Sequence, residues 1–468
     1  MTAPAAEHPD DRILSWPELF GPTYRLATFT LALGIGLHAV NFFVFATLAP
    51  AVVAEIGGLD RLSWATTLYV VATIVSTAAG GIVRARFGVR RALLIAILGF
   101  ATGSAGVGLA PTMDWILIAR TAQGLGSGLL MANSFGLVRD LYPPKSWARL
   151  FAAISGVWGI AALSGPLMGG IFVELGNWRW GFFAMLPVCL IFHLLVHRTV
   201  KPSAPGDPGP LAPVVRLALI GAAALVIGAT GKGWDAVPES VLAATAAVLL
   251  LGAITWERRS SVPIFPRDMF RPASELGAGV AYIFFVSFGT AATAIYGPYF
   301  LSALHGVPPL VTGYVVTAQS LCWTLAAILF SGLSVARARW VIAIGPVLIG
   351  LGSLATAIFL PAGPLVLAIG AIMLLGFGIG AAWGHVGKRI FDAAGEADRD
   401  RVTSVIPTTQ SLGLAFGSAA AGIVADRVGL AGTPPPEVMA EAARWVYLAL
   451  LPAIGLALLG ALRNARWL

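Results

Sequence analysis

Charge is scarce in this sequence: only 11% of its 468 residues are Asp, Glu, Lys or Arg. A soluble domain covers itself with charged side chains. With 57% of residues hydrophobic and a mean hydropathy of +0.84, there is too little charge here to do that. Cysteine is nearly absent too: Cys189 and Cys322 both fall in apolar stretches, which leaves no disulfide framework. No His/Cys/Asp/Glu cluster has metal-ligand spacing, and no Ser/His/Asp constellation appears. There is also no Gly-x-x-x-x-Gly-Lys-Ser/Thr run, so direct drive by ATP is disfavoured. We therefore expect no cofactor, no metal and no enzymatic activity. The net charge of +8 would suit a nucleic-acid binder. The basic residues are scattered through many short loops rather than gathered on one face, so no nucleic-acid partner is expected. The first 25 residues are largely polar and the first apolar run is too long for a signal-peptide core, so nothing resembles a cleavable signal.

What the sequence has is long apolar runs. About 20 apolar residues at 1.5 Å rise match a hydrocarbon layer roughly 30 Å thick. Fourteen such spans are predicted, at 26–50, 63–83, 91–111, 114–138, 148–173, 178–197, 213–231, 238–256, 273–301, 308–334, 340–361, 363–386, 403–425 and 443–463. Loop charge tests that count, because cytoplasmic loops carry the excess of Lys and Arg. With both termini inside, 24 of the basic residues fall on the inner side, counting those at span ends, and five outside; the remaining one, Arg120, lies well within a span. One miscounted helix would reverse the alternation beyond it. The 26 Arg against 4 Lys, with abundant Ala and Gly, fit a bacterium with a GC-rich genome. The expected location is therefore a bacterial cytoplasmic (inner) membrane, crossed many times.

A faint repeat divides the chain. Gly81-Ile-Val-Arg-Ala-Arg86 is echoed by Gly332-Leu-Ser-Val-Ala-Arg337, and Gly165, Gly170, Ile171 and Glu174 by Gly417, Gly422, Ile423 and Asp426. Both offsets pair spans eight apart, so the fold class expected is an all-α membrane protein of two six-helix bundles plus two inserted helices. The division is 1–25 as a cytoplasmic N-terminal tail, 26–200 as the first bundle, 201–272 as a linker with the extra helices, and 273–468 as the second bundle. Two halves around a midplane cavity are the architecture of alternating-access transporters.

Four segments carry a family resemblance. Gly81-Ile-Val-Arg84-Ala-Arg-Phe-Gly88-Val-Arg90-Arg91 resembles the cytoplasmic loop between helices 2 and 3 of the major facilitator superfamily. Ile118-Ala-Arg120-Thr-Ala-Gln123-Gly124-Leu-Gly126 resembles the helix-4 motif of its proton-coupled members. Gly159-Ile-Ala-Ala-Leu-Ser-Gly165-Pro166-Leu-Met-Gly169-Gly170 is similar to the helix-5 antiporter motif, whose glycines permit close helix contact and whose proline can bend the helix. Asn177-Trp178-Arg179-Trp180-Gly-Phe-Phe-Ala-Met-Leu-Pro187 resembles the start of helix 6 in the fourteen-helix drug:proton antiporter branch. Trp178 and Trp180 equally suit an interfacial belt.

The chain also departs from that pattern. The loop motif's Asp is replaced by Ala85, which removes the usual carboxylate latch. The membrane-embedded Asp expected nine residues before the proline ending the first helix is, counted from Pro50, Asn41. No Asp or Glu lies deep in any span. Candidates for proton coupling are therefore His38, Arg120, Glu174, His385 and Asp426, although His38 could equally be a neutral packed histidine. Candidate cavity contacts are Asn41, Gln123, Trp158, Tyr282, Tyr296, Tyr299, Gln319, Trp323, Trp383 and Gln410, for which helix packing or lipid contact is the alternative.

The resemblance implies a secondary exporter of amphipathic or apolar small molecules, a multidrug-efflux-like antiporter using protons. Without a buried carboxylate to attract cations, the substrate is expected to be neutral or anionic, and the chain monomeric. One alternative is a transporter of a single endogenous lipid or metabolite that is not proton coupled. Another is a receptor or scaffold that has lost transport.

Overall fold

The computed structural model describes residues 13–202, 213–229, 237–307, 309–430 and 435–466. A helix occupies each of the fourteen expected positions. The first six are α1 (Arg25–Ile56), α2 (Leu59–Phe87), α3 (Val89–Gly108), α4 (Met113–Leu141), α5 (Trp147–Glu174) and α6 (Met185–Thr199). Two follow in the middle of the chain, α7 (Val214–Gly228) and α8 (Glu239–Arg259). The last six are α9 (Glu275–Ile295), α10 (Pro309–Phe330), α11 (Val335–Ala362), α12 (Leu365–Ala393), α13 (Val405–Arg427) and α14 (Pro436–Arg466). Among the described residues, ten helical segments are long and apolar enough to cross a membrane, and Val215–Gly228 and Thr317–Phe330 are shorter apolar helices.

Local chemistry fixes many of the boundaries. Thr112 and Ser274 cap α4 and α9, their hydroxyls accepting from Trp115 N at 3.3 Å and Gly277 N at 3.0 Å. Gly88, at φ 77, makes the one-residue turn from α2 to α3, which explains the second glycine of that loop motif. The first helix corrects one expectation. It runs through position 50 to Ile56 and stops where Gly57 and Gly58 adopt φ 72 and 78. Positive-φ glycines, not proline, end it.

Packing follows the repeat. The close pairs α1/α5, α2/α4, α3/α4, α1/α6 and α3/α6 recur eight helices later as α9/α13, α10/α12, α11/α12, α9/α14 and α11/α14. The glycines explain two of these. A Cβ on Gly165 would sit 2.4 Å from the Phe43 Cβ of α1, and one on Gly417 would sit 2.2 Å from the Phe288 carbonyl of α9. The halves meet where α5 packs on α10 and α12 and α13 packs on α2. The inserted pair α7 and α8 pack on each other and bridge α2 to α13.

The described part of the N-terminal tail is folded down rather than free. Leu14 and Leu19 are buried, and Ser15 with Glu18 forms a capping box on the short helix Trp16–Leu19. Leu14 N donates to Ser146 Oγ at 2.8 Å, and Tyr24 stacks on Tyr142 at 5.5 Å. The tail thus straps the α4–α5 connection.

Candidate functional site

Helices α1, α2 and α4 bring a chain of polar side chains together in the apolar interior of the first half. Arg120 on α4 is 1% exposed. Its guanidinium lies 4.1 Å from the Phe45 ring centroid and 3.9 Å from that of Tyr69, and it donates to Gln123 Oε1 at 2.7 Å. Among the described residues it has no carboxylate partner, and its Nε has no acceptor. Gln123 Nε2 in turn donates to Asn41 Oδ1 at 2.9 Å and Ser104 Oγ at 2.8 Å.

On the other side of the Tyr69 ring, the phenol oxygen lies 2.7 Å from Ser127 Oγ and 3.2 Å from His38 Nδ1, and Ser127 lies 2.6 Å from that same nitrogen. Trp158 of α5 closes the cluster edge-on to His38 at 5.5 Å. Five sequence candidates, His38, Asn41, Arg120, Gln123 and Trp158, therefore form one connected group. The structure adds Phe45, Tyr69, Ser104 and Ser127 to it. Tyr69 lies on α2, and its role as a bridge between Arg120 and His38 comes only from the three-dimensional packing.

The other candidates lie apart from this group. His385 is buried on α12, its Nε2 2.7 Å from the Phe330 carbonyl at the end of α10. Trp323 and Trp383 pack edge-to-face at 5.3 Å, while Gln319 sits against Gly376 through its backbone. Tyr282 is fully buried and its hydroxyl has no partner among the described residues. Tyr299 is 43% exposed and Gln410 is half-buried. Glu174 and Asp426 are exposed at helix ends. Asp426 shares with Tyr296 a cavity of about 490 Å³ lined by α2, α7, α9, α13 and Glu239 of α8.

At the end carrying the basic loops, the two halves are tied together. Arg84 at the end of α2 is 3% exposed. It pairs with Asp140 of its own half and, through Nε at 2.6 Å, with Asp400 of the other. Arg399 reaches Asp140 at 3.2 Å, and Arg139 reaches Glu396 at 3.1 Å. Gly81 is required beside them: a Cβ there would lie 2.8 Å from the Asp400 carbonyl oxygen. Ala85 is exposed and takes no part. The carboxylates that tie the halves here are those of Asp140 and Asp400. Arg90 contacts His197, and Arg91 is exposed. Gly169 packs on Thr47, Gly170 faces open space, and position 166 lies inside the continuous helix α5.

Arg216, one of the 24 basic residues assigned to the inner side, corrects another expectation. It is 2% exposed on α7 and pairs with Glu257 of α8. Glu257 also accepts from Ile264 N and, at 2.9 Å, from Phe265 N. Each of these charges sits near an expected span end, so nothing in the local sequence announced a buried pair.

Comparison with known proteins identifies the fold. A sequence model of the Major Facilitator Superfamily matches residues 31–267. A Mycobacterium tuberculosis protein named "Probable multidrug-efflux transporter" is 31% identical over 427 residues, covering 88% of this chain and 89% of its own length. The "Tetracenomycin C resistance and export protein" of Streptomyces glaucescens is 28% identical, covering 64% of this chain and 55% of that one. Among solved structures, the human organic anion transporter MFSD10 superposes with a TM-score of 0.66 at 14% identity over 93% of this chain and 100% of that one. The proton:xylose symporter XylE does so at 0.64 and 14%, over 92% and 94%. On the family match and the 31% identity over 88% of its length, the chain belongs to the major facilitator superfamily, a family of membrane transporters rather than enzymes, and resembles its drug-efflux members.

Proposed function

We propose that this chain exports amphipathic or apolar small molecules, neutral or anionic, across a bacterial cytoplasmic membrane by alternating access with proton antiport. It crosses the membrane fourteen times with both termini inside, divided at 1–25, 26–200, 201–272 and 273–468, and it works as a monomer. The observation that carries the reading is the junction between the halves. They touch along α5, α10 and α12 and lock at one end through Arg84, Asp140 and Asp400, with the buried polar cluster deeper in the first half. Ion pairs that lock one end can be broken there as the two halves rock about the helices between them. Relatives named for multidrug efflux and for resistance and export support the direction of transport.

His38 is the proton site in this reading. It is the titratable imidazole inside the cluster, with Ser127 and Tyr69 placed to answer a change in its protonation. His385 is held by a backbone carbonyl, and Glu174 and Asp426 lie at exposed ends. Asn41 gives a second reading its footing. An uncharged Asn41–Gln123 pair in the cluster suits a carrier of one endogenous lipid or metabolite that moves without protons.

Purified protein in liposomes with an internal pH dye tests the choice, using a panel of amphipathic dyes as substrates. Dye movement should drive a pH change in the wild type, and His38→Ala should move dye without one. Dye movement with no pH change in the wild type would overturn proton antiport, and no movement of any dye would favour the carrier of one endogenous molecule.

A further inference from the structure

The inserted helix pair encloses a second cavity, separate from the polar cluster. It has a volume of about 350 Å³ and lies between α7, α8, the 264–272 segment and the first turns of α9 and α13. Its walls are almost wholly apolar, with side chains such as Leu250, Ile254, Phe265, Phe284 and Leu412. Thr408 and Thr409 are polar and line it; Thr408 is 2% exposed, and its hydroxyl has no partner among the described residues. The Arg216–Glu257 pair frames one end, and because the two charges cancel it adds no net charge there.

The surroundings of the mouth are cationic. Leu251 and Ile254 of α8 line the cavity, and Arg258 follows them at the seven- and four-residue spacings that keep a side chain on one helix face. Arg258 is exposed, and no carboxylate pairs with it among the described residues. Arg267 and Arg271 are exposed in the segment that closes the cavity, between lining residues Phe265 and Pro272. Among the described residues Arg267 donates to the Ser260 carbonyl, and Arg271 makes a loose 3.4 Å pair with the exposed Asp268. An apolar slot under three arginines is complementary to a molecule with a hydrocarbon tail and a negative head.

We propose that this cavity binds an anionic phospholipid, one acyl chain in the slot and the phosphate head on Arg258, Arg267 and Arg271. Basic pockets between transmembrane helices recognise anionic headgroups in this way, and each arginine near the surface favours the anionic lipid about fivefold. The bound lipid would wedge α7 and α8 against the second half without entering the transport path. This site does not depend on the transport mechanism proposed above.

Native mass spectrometry of the full chain tests it, after exchange into mixed phosphatidylglycerol and phosphatidylcholine nanodiscs. Wild type should retain phosphatidylglycerol selectively. Arg258→Gln should lower that preference about fivefold, and Arg258→Gln with Arg271→Gln should lower it further. Ala281→Trp, which fills the slot and leaves the arginines in place, should expel the lipid of both kinds. Equal retention of the two lipids by the wild type would overturn the proposal. So would an unchanged preference in the folded arginine variants, judged folded by their monodisperse elution.

Discussion

Replacing Gly81 with alanine should prise the two halves apart at the basic-loop end. The added methyl would stand 2.8 Å from the Asp400 carbonyl oxygen and 3.0 Å from Arg401 Cα. Both are backbone atoms of the opposite half, around the short helix Arg399–Val402. Neither can swing aside as a side-chain tip would, so the helices must separate. Overpacking of this kind costs about 1–3 kcal/mol. That cost falls only on the arrangement in which these elements touch, so the balance between closed and open ends should move by about 5- to 150-fold. The helix itself gains, since alanine is favoured over glycine by up to about 1 kcal/mol in a helix interior. A poorly folded α2 therefore could not explain the result. Spin labels at Ala85→Cys and Ala397→Cys, both exposed and on opposite halves, would read the separation with Cys189 and Cys322 replaced. Pulsed electron resonance should show a longer distance population in Gly81→Ala. An unchanged distance distribution would refute the reasoning, because the wedge would then have been absorbed within one half.

Two further outcomes follow from charges at different depths. Arg120→Ala should abolish dye efflux while leaving the melting temperature in detergent equal or higher, because a buried cation without a carboxylate costs about 2.5 kcal/mol or more; normal efflux would remove Arg120 from the mechanism. Glu55, beyond the apolar part of α1, accepts from Arg179 and from Trp178 Nε1 at 2.7 Å, and the Arg179 hydrogen bond holds its carboxyl below the usual value of 4.5. A depressed carboxylate stabilises the fold above about pH 4.5 and loses that effect as pH falls through its lowered value. Melting curves taken downward from pH 5 should therefore fall less steeply for Glu55→Gln than for wild type, by a small margin because the side chain is half exposed.

Helix positions were readable from sequence because each is written in many residues at once: a run of apolar side chains tolerates several misjudged ones. Ends and pairings rest on single residues and fared worse. Pro50 suggested a stop that the backbone takes only at Gly57 and Gly58. The loss of a carboxylate at Ala85 was visible, but not its replacement, since Asp400 is 316 residues from Arg84. Arg216 and Glu257 were hidden for the same reason, 41 residues apart in two different helices. The cluster was half legible. His38, Asn41, Arg120 and Gln123 stood out as polar residues in apolar surroundings, whereas Tyr69 and Ser127 join them only when α1, α2 and α4 are side by side. The tail carried a signal that could have been read, the Ser-x-x-Glu capping box at Ser15 and Glu18.

That tail bears on how the chain is made. Its docking partners lie far downstream: Leu14 binds Ser146, 132 residues later, and Tyr24 stacks on Tyr142. At about 5–20 residues per second, the ribosome delivers Ser146 roughly 7–26 s after Leu14. During that interval Leu14 and Leu19 have no burial site, and four helices must enter the membrane before one exists. Docking of the strap can thus occur only once the fourth and fifth helices have inserted and turned correctly. A chain in which that hairpin goes in wrongly would leave an apolar segment exposed near its N-terminus, where quality-control proteases can find it.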